Sequence, residues 1–133
     1  MVRLAEQKND FKFSYETELS VEEKLDAVCK KVYGGDGVIF TADALKDLAE
    51  IKKTGFDKLP VCVAKTQYSF SDDAALICAP TGFKITVRKL KVSSGAGFIV
   101  ALTGNIMTMP GLPKVPAAEN IDLTDDGKIT GLF

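Results

Sequence analysis

With 133 residues, 46% of them hydrophobic and 26% charged, the chain has the size and composition of one globular domain with a single core, not of a disordered segment. Its 17 basic and 18 acidic residues leave a net charge of −1, with no basic stripe to track a phosphate backbone, so nucleic acid is excluded as a partner. The longest apolar run, around Phe98 to Leu102, falls far short of the ~20 residues of a membrane-spanning helix, and no membrane association is expected.

The opening residues Met1 to Glu6 lack the apolar stretch of a secretory signal. Ser20-Val21-Glu22-Glu23 is a capping-box sequence, and Val21, Leu25, Val28 and Val32 follow at the spacing of one helical face. Lys30 and Lys31 suit the carboxyl end of that helix, and Gly34-Gly35 stops it. Gly37-Val38-Ile39-Phe40 reads as a short strand. Thr41 then caps a second helix carrying Leu45, Leu48, Ala49 and Ile51, closed by Lys52-Lys53 and Gly55. Leu59-Pro60-Val61-Cys62-Val63 is a second strand, so 37–63 forms a strand–helix–strand unit, most simply a right-handed parallel crossover.

From Phe83 the pattern changes. Phe83, Ile85 and Val87 alternate with Lys84, Thr86 and Arg88, the period of a strand with one wet face. Leu90 and Val92 fall out of phase, which predicts a bulge or twist. The glycines of 93–97 precede the apolar run 98–103, not a helix, so they form a turn between strands; a phosphate-binding glycine loop leads into a helix amino terminus. Pro110, Pro113 and Pro116 hold an extended connection, Asp125-Asp126-Gly127-Lys128 is a tight turn, and 129–133 is a last short strand or an apolar tail docked on the core. The class is therefore α/β to α+β: a strand–helix–strand unit followed by a small, twisted, mostly antiparallel sheet with helices packed on one side. Two segments, 1–64 and 65–133, make up the one unit.

Cys29, Cys62 and Cys78 are widely spaced, and there is no histidine, so neither a zinc set nor the usual base for a cysteine nucleophile is present. No metal ligand set and no catalytic residue is assigned, and reduced cysteines point to the cytoplasm. The most informative chemistry is Lys65, Thr66, Gln67, Tyr68 and Ser69, directly after the apolar strand 59–63. The carboxyl end of such a strand faces the ligand crevice of an open α/β sheet. The string offers a cation, hydroxyls, an amide and a stacking surface, a set that holds an anionic or heteroaromatic ligand; it equally serves to cap strands and turn the chain, with Asp72-Asp73 as a helix N-cap. Met109, Pro110, Gly111, Leu112 and Pro113 form a rigid loop that makes either a cleft wall or a plain connection.

The strings "LPVCVAKTQYSFSDD" from Leu59, "APTGFKITVRKLKVSSGAGFIVALTG" from Ala79 and "IMTMPGLPKVPAAENIDL" from Ile106, with the ending "GKITGLF", are similar to the carboxyl-terminal portion of the formate–tetrahydrofolate ligases, also called 10-formyltetrahydrofolate synthetases. The resemblance runs from about Phe11 to Phe133. It implies an ATP-dependent ligase that joins formate to tetrahydrofolate through formyl phosphate, with ATP and tetrahydrofolate as substrates. In that family the P-loop, the arginine implicated in formyl phosphate binding and the aromatic pair that stacks on the pterin lie upstream; this sequence has no Walker motif and no tryptophan. The resemblance thus implies that residues 1–133 are a carboxyl-terminal fragment, inactive alone, with no substrate expected bound to it. Its partners would be the upstream domains of a cytoplasmic enzyme, a homotetramer by resemblance. It would wall the active-site cleft through Lys65, Thr66, Gln67, Tyr68, Ser69 and the Met109 to Pro113 loop. The alternative is a free-standing binding or interaction module that shares this domain.

Overall fold

A computed structural model describes residues 2–8, 12–106 and 114–132. After a one-turn helix, α1 (Val2–Ala5), the first long element is α2 (Val21–Val28). The capping box forms as its sequence requires. Ser20 Oγ accepts from the Glu23 backbone N–H at 3.3 Å, and Glu23 Oε2 accepts from the Ser20 N–H at 2.9 Å and hydroxyl at 2.8 Å. Val21, Lys24, Leu25 and Cys29 are buried. Val32, expected on the same face, is instead 51% exposed, because the helix widens into a π-turn, Cys29–Tyr33, before ending at Gly34. The wider turn rotates Val32 outward and brings Tyr33 against the cluster of Cys29, Phe83 and Ile85. Gly35 is held close there: a β-carbon on it would lie 2.8 Å from Cys29 Sγ and from the Phe83 ring.

Strand β1 (Val38–Phe40) leads to α3 (Ala42–Thr54), whose cap Thr41 accepts from the Ala44 N–H at 3.3 Å and donates to the Arg88 carbonyl at 3.0 Å. The buried stripe of α3 is Ala44, Leu48 and Ile51; Leu45 and Ala49, expected inside, face water. Leu45 follows the fully buried Ala44 and so lies about 100° further round the helix, away from the sheet. After β2 (Val61–Ala64), β3 (Ile85–Ser93) and β4 (Phe98–Thr103) form an antiparallel hairpin closed by the 93–97 turn, with Gly97 N–H donating to the Ser93 carbonyl at 2.8 Å. The expected bulge is present as a register shift between Val87 and Lys89, which keeps Leu90 on the same face as Ile85 and Val87.

The four-stranded sheet has the order β1-β3-β4-β2. β1 pairs with β3 in parallel and β2 with β4 in parallel, so the sheet is mixed around an antiparallel centre, within the expected α/β to α+β class. The parallel crossover is not formed: β1 and β2 lie on opposite edges and run in opposite senses. The hairpin closes a short loop and offers strands of nine and six residues, whereas β1 and β2 have three and four, so the short strands add to the free edges of the long pair and not to each other. Both helices cover one face. Val21, Leu25, Ala44, Leu48 and Ile51 meet Val87, Leu90, Ile99 and Ala101 in a single core. Beyond the sheet, a 3₁₀ turn (Ala117–Glu119) precedes a small hairpin of β5 (Asp122–Leu123) and β6 (Ile129–Thr130). The last strand is therefore real, but it is exposed and not docked on the core.

Candidate functional site

Because β2 and β4 are parallel neighbours, their carboxyl ends reach the same rim of the sheet, where β3 begins. A cleft of ≈ 970 Å³ opens there. One wall is Thr66, Gln67 and Tyr68 from the segment after β2, with Asp72, Asp73 and Ala74; the other is Gly104, Asn105 and Ile106 after β4, and the floor carries Thr86 and Arg88 of β3.

The first wall is shaped by local bonds. Tyr68 N–H donates to Thr66 Oγ1 at 3.2 Å. Ser69 Oγ then accepts from the Ser71 N–H at 2.9 Å, Ser71 Oγ from the Asp73 N–H at 3.0 Å, and Asp73 Oδ1 from the Ala75 N–H at 2.9 Å, a run of side-chain-mimicked turns. No helix follows Asp73, so the pair Asp72-Asp73 is not a helix cap. Asp72 instead crosses to the sheet, its Oδ2 accepting from the Thr86 N–H at 2.8 Å.

Lys65 and Ser69 stand behind this wall and do not line the cleft. The Lys65 ammonium donates to the carbonyl of Thr66 at 3.0 Å and to that of Ser69, and lies 5.0 Å from the centre of the Tyr33 ring. Burial pushes its pKa below the ordinary lysine value, with the Asp72 carboxylate acting in the opposite direction. Ser69 is 6% exposed. Of the four residues expected on one rim, Lys65, Thr66, Gln67 and Tyr68, the last three line the cleft and Lys65 does not. Met109, Pro110, Gly111, Leu112 and Pro113 lie outside the described residues.

Sequence reasoning passed over the cation of the cleft. Arg88 reads along the strand only as a wet-face residue, yet its Nη1 donates to the Gly104 carbonyl at 3.1 Å and to Asn105 Oδ1. Arg88 is set against the carboxylates of Asp72 and Asp73 in the same lining; its planar, permanently charged fork can pair with a carboxylate or phosphate, while Tyr68, 65% exposed, presents a ring for stacking. The signal available in the sequence was the Gly104-Asn105 pair at the end of an apolar strand, opposite an arginine in the neighbouring one.

The whole chain, residues 1–133, matches the family described as formate–tetrahydrofolate ligase. It belongs to that family. The formate–tetrahydrofolate ligase of Symbiobacterium thermophilum is 57% identical over 133 residues, which is 100% of this chain and 24% of that protein. The chain thus spans about a quarter of the length of this curated ligase. Among the described residues, no group of three or more His, Cys, Asp or Glu side chains is arranged to hold a metal ion, and no helix is long and apolar enough to cross a membrane.

Proposed function

We propose that this chain is the carboxyl-terminal part of a longer formate–tetrahydrofolate ligase, and that within it the rim formed by Thr66, Gln67 and Tyr68, with Arg88 at its base, walls the cleft in which ATP-driven joining of formate to tetrahydrofolate takes place. The observation that carries this reading is the guanidinium of Arg88, held by Gly104 and Asn105, in a cleft that Tyr68 also lines, in a family whose name calls for a carboxylate and a heteroaromatic substrate. Phosphoryl transfer needs a preorganised phosphate cradle and a metal clamp. Among the described residues no glycine opens a helix amino terminus, the place of a phosphate cradle, so on this reading the 133 residues alone make no 10-formyltetrahydrofolate. The Met109 to Pro113 loop, which follows the Gly104 wall in the chain, belongs to the same reading, as does assembly of the parent enzyme into a cytoplasmic homo-oligomer.

Steady-state kinetics of the full-length ligase test the cleft. Arg88→Ala raises KM for one of the three substrates by roughly 10- to 100-fold, the loss of a charge-assisted bond, with a smaller change in kcat. Unchanged KM for formate, ATP and tetrahydrofolate would remove Arg88 from the substrate site. Formate-dependent ADP release by the 133-residue chain would refute its inactivity.

A further inference from the structure

The segment 114–132 is at odds with water. Every one of its residues is exposed, among them Val115, Ile121, Leu123, Ile129 and Leu132, each between 42% and 63% accessible. Its only strands are the two-residue pair β5 and β6. A two-stranded hairpin is marginal in water unless it packs on something. Yet this one has a close-fitted backbone: a β-carbon on Gly131 would overlap the Asn120 carbonyl oxygen at 1.7 Å. Thr124 Oγ1 accepts from the Lys128 N–H at 3.1 Å and Lys128 pairs with Asp126 at 2.6 Å, so the turn is built and its apolar side chains are presented outward.

Two occupants compete for this surface: a second copy of the chain, or another part of the same polypeptide. The five apolar side chains expose on the order of 500 Å² together, as much as the largest apolar patch of a typical monomer. Association of free copies loses translational and rotational freedom, whereas a tethered surface meets its target at an effective concentration in the millimolar range. Charge points the same way. The segment carries Glu119, Asp122, Asp125 and Asp126 against Lys114 and Lys128, so two copies placed face to face bring acid to acid. The curated relative holds about three quarters of its length outside the region matched here.

We propose that segment 114–132 docks through Val115, Ile121, Leu123, Ile129 and Leu132 onto an apolar, basic-rimmed surface carried by the rest of the same ligase polypeptide. This rests on the reading that the chain is part of a longer ligase, but not on the role of the cleft.

Hydrogen exchange read by mass spectrometry tests it, comparing 121–130 in the full-length ligase and in the 133-residue chain across a dilution series. The expected result is protection roughly 100-fold greater in the full-length protein, unchanged on dilution, and lost in the double variant Leu123→Asp/Ile129→Asp while β3 and β4 keep theirs. Protection that falls with dilution would assign the surface to a second copy and overturn the proposal. Equal, fast exchange in both proteins would overturn it as well. Because the exchange pattern is independent of KM, a null result for Arg88→Ala leaves this outcome readable, and the reverse also holds.

Discussion

Gly104 is where the cleft and the sheet share one set of bonds, and replacing it by alanine measures that junction. Its φ of +53° is left-handed, which costs an L-residue roughly 1–2 kcal/mol. In addition, a β-carbon would lie 2.4 Å from the Asp72 backbone oxygen and 3.3 Å from its carbonyl carbon, where ordinary contact begins near 3.4 Å. The obstruction is backbone and cannot rotate away. The Asp72 segment must move by about 1 Å, which strains the bond from Thr86 N–H to Asp72 Oδ2 at 2.8 Å and that from Gly104 N–H to the Thr86 carbonyl at 3.3 Å. With about 0.5–1.5 kcal/mol for each bond, the total is about 2–5 kcal/mol, or roughly 6–20 °C in Tm for a domain of this size. Two internal controls calibrate the experiment. Gly97 has φ of +73° with nothing within 4 Å of its β-carbon, so Gly97→Ala loses only the conformational cost, about 1 kcal/mol; Gly95, open and not left-handed, loses almost nothing, within about 0.5 kcal/mol. Thermal unfolding of the three variants by circular dichroism ranks them Gly95, Gly97, Gly104 in rising cost. Equal losses for Gly97→Ala and Gly104→Ala would show that the close approach to Asp72 does not exist, and the anchoring of the cleft wall to the sheet at that point would go with it.

Ser20→Ala removes the α2 cap and costs about 1 kcal/mol in denaturant unfolding at neutral pH. The Ser20 backbone N–H, and after it the Ser20 hydroxyl, hold the Glu23 carboxyl below its ordinary value of 4.5, so this stabilisation is present above pH 4.5, is lost as pH falls through the lowered value, and the acid slope flattens in Ser20→Ala. Lys24 is 0% exposed, its ammonium donating to the carbonyls of Asp57 at 3.0 Å and Leu59 at 3.1 Å; Lys24→Met leaves both acceptors without that donor and lowers stability by about 1–3 kcal/mol. Burial, then the charge of Lys58, lowers the Lys24 pKa, so the unfolded chain binds the extra proton and wild-type stability gains as pH rises toward 10.5, a gain absent in Lys24→Met; parallel pH profiles of the two proteins would contradict it. In the full-length ligase, Lys65→Ala raises KM by freeing the Thr66 to Ser69 carbonyls it gathers, and Lys65→Arg recovers part of the loss; a lower Tm with unchanged KM would confine Lys65 to structure.

Most of the local structure was legible because its causes are local. The Ser20 and Thr41 caps, the 93–97 turn and the bulge after Val87 each depend on residues within a few positions of one another, and each was read from them. What failed was non-local. Nothing in Val38-Ile39-Phe40 or Val61-Cys62-Val63 states that a hairpin some twenty residues further on will come between them. The π-turn at Cys29–Tyr33 was equally hidden, since the 3.6-residue period that places Val32 inside assumes a regular helix. At the site, position was legible and chemistry only partly so: Thr66, Gln67 and Tyr68 emerge where an apolar strand ends, but the charge of Lys65 is spent on its own loop, and the cation of the cleft comes from a strand that alternation describes only as half wet.

The division of bonds in the molecule separates stability from the cleft. The core joins α2 and α3 to β3 and β4 through apolar side chains, none of which lines the cleft. The wall from Lys65 to Ala75 is instead held by an ammonium on two carbonyls, by successive hydroxyl and carboxylate turns, and by a backbone bridge in which the Phe70 N–H donates to the Cys78 carbonyl at 3.0 Å and the Cys78 N–H to the Tyr68 carbonyl at 3.2 Å. Such bonds are worth about 1 kcal/mol each and can be remade without unfolding the domain. The wall is joined to the sheet where Asp72 meets Thr86 and Gly104. On the function proposed above, a substitution within Thr66 to Tyr68 is expected to change ligand binding and leave the fold standing, and a substitution at the Asp72, Thr86 and Gly104 junction to change both, because there the sheet edge and the cleft wall are the same backbone.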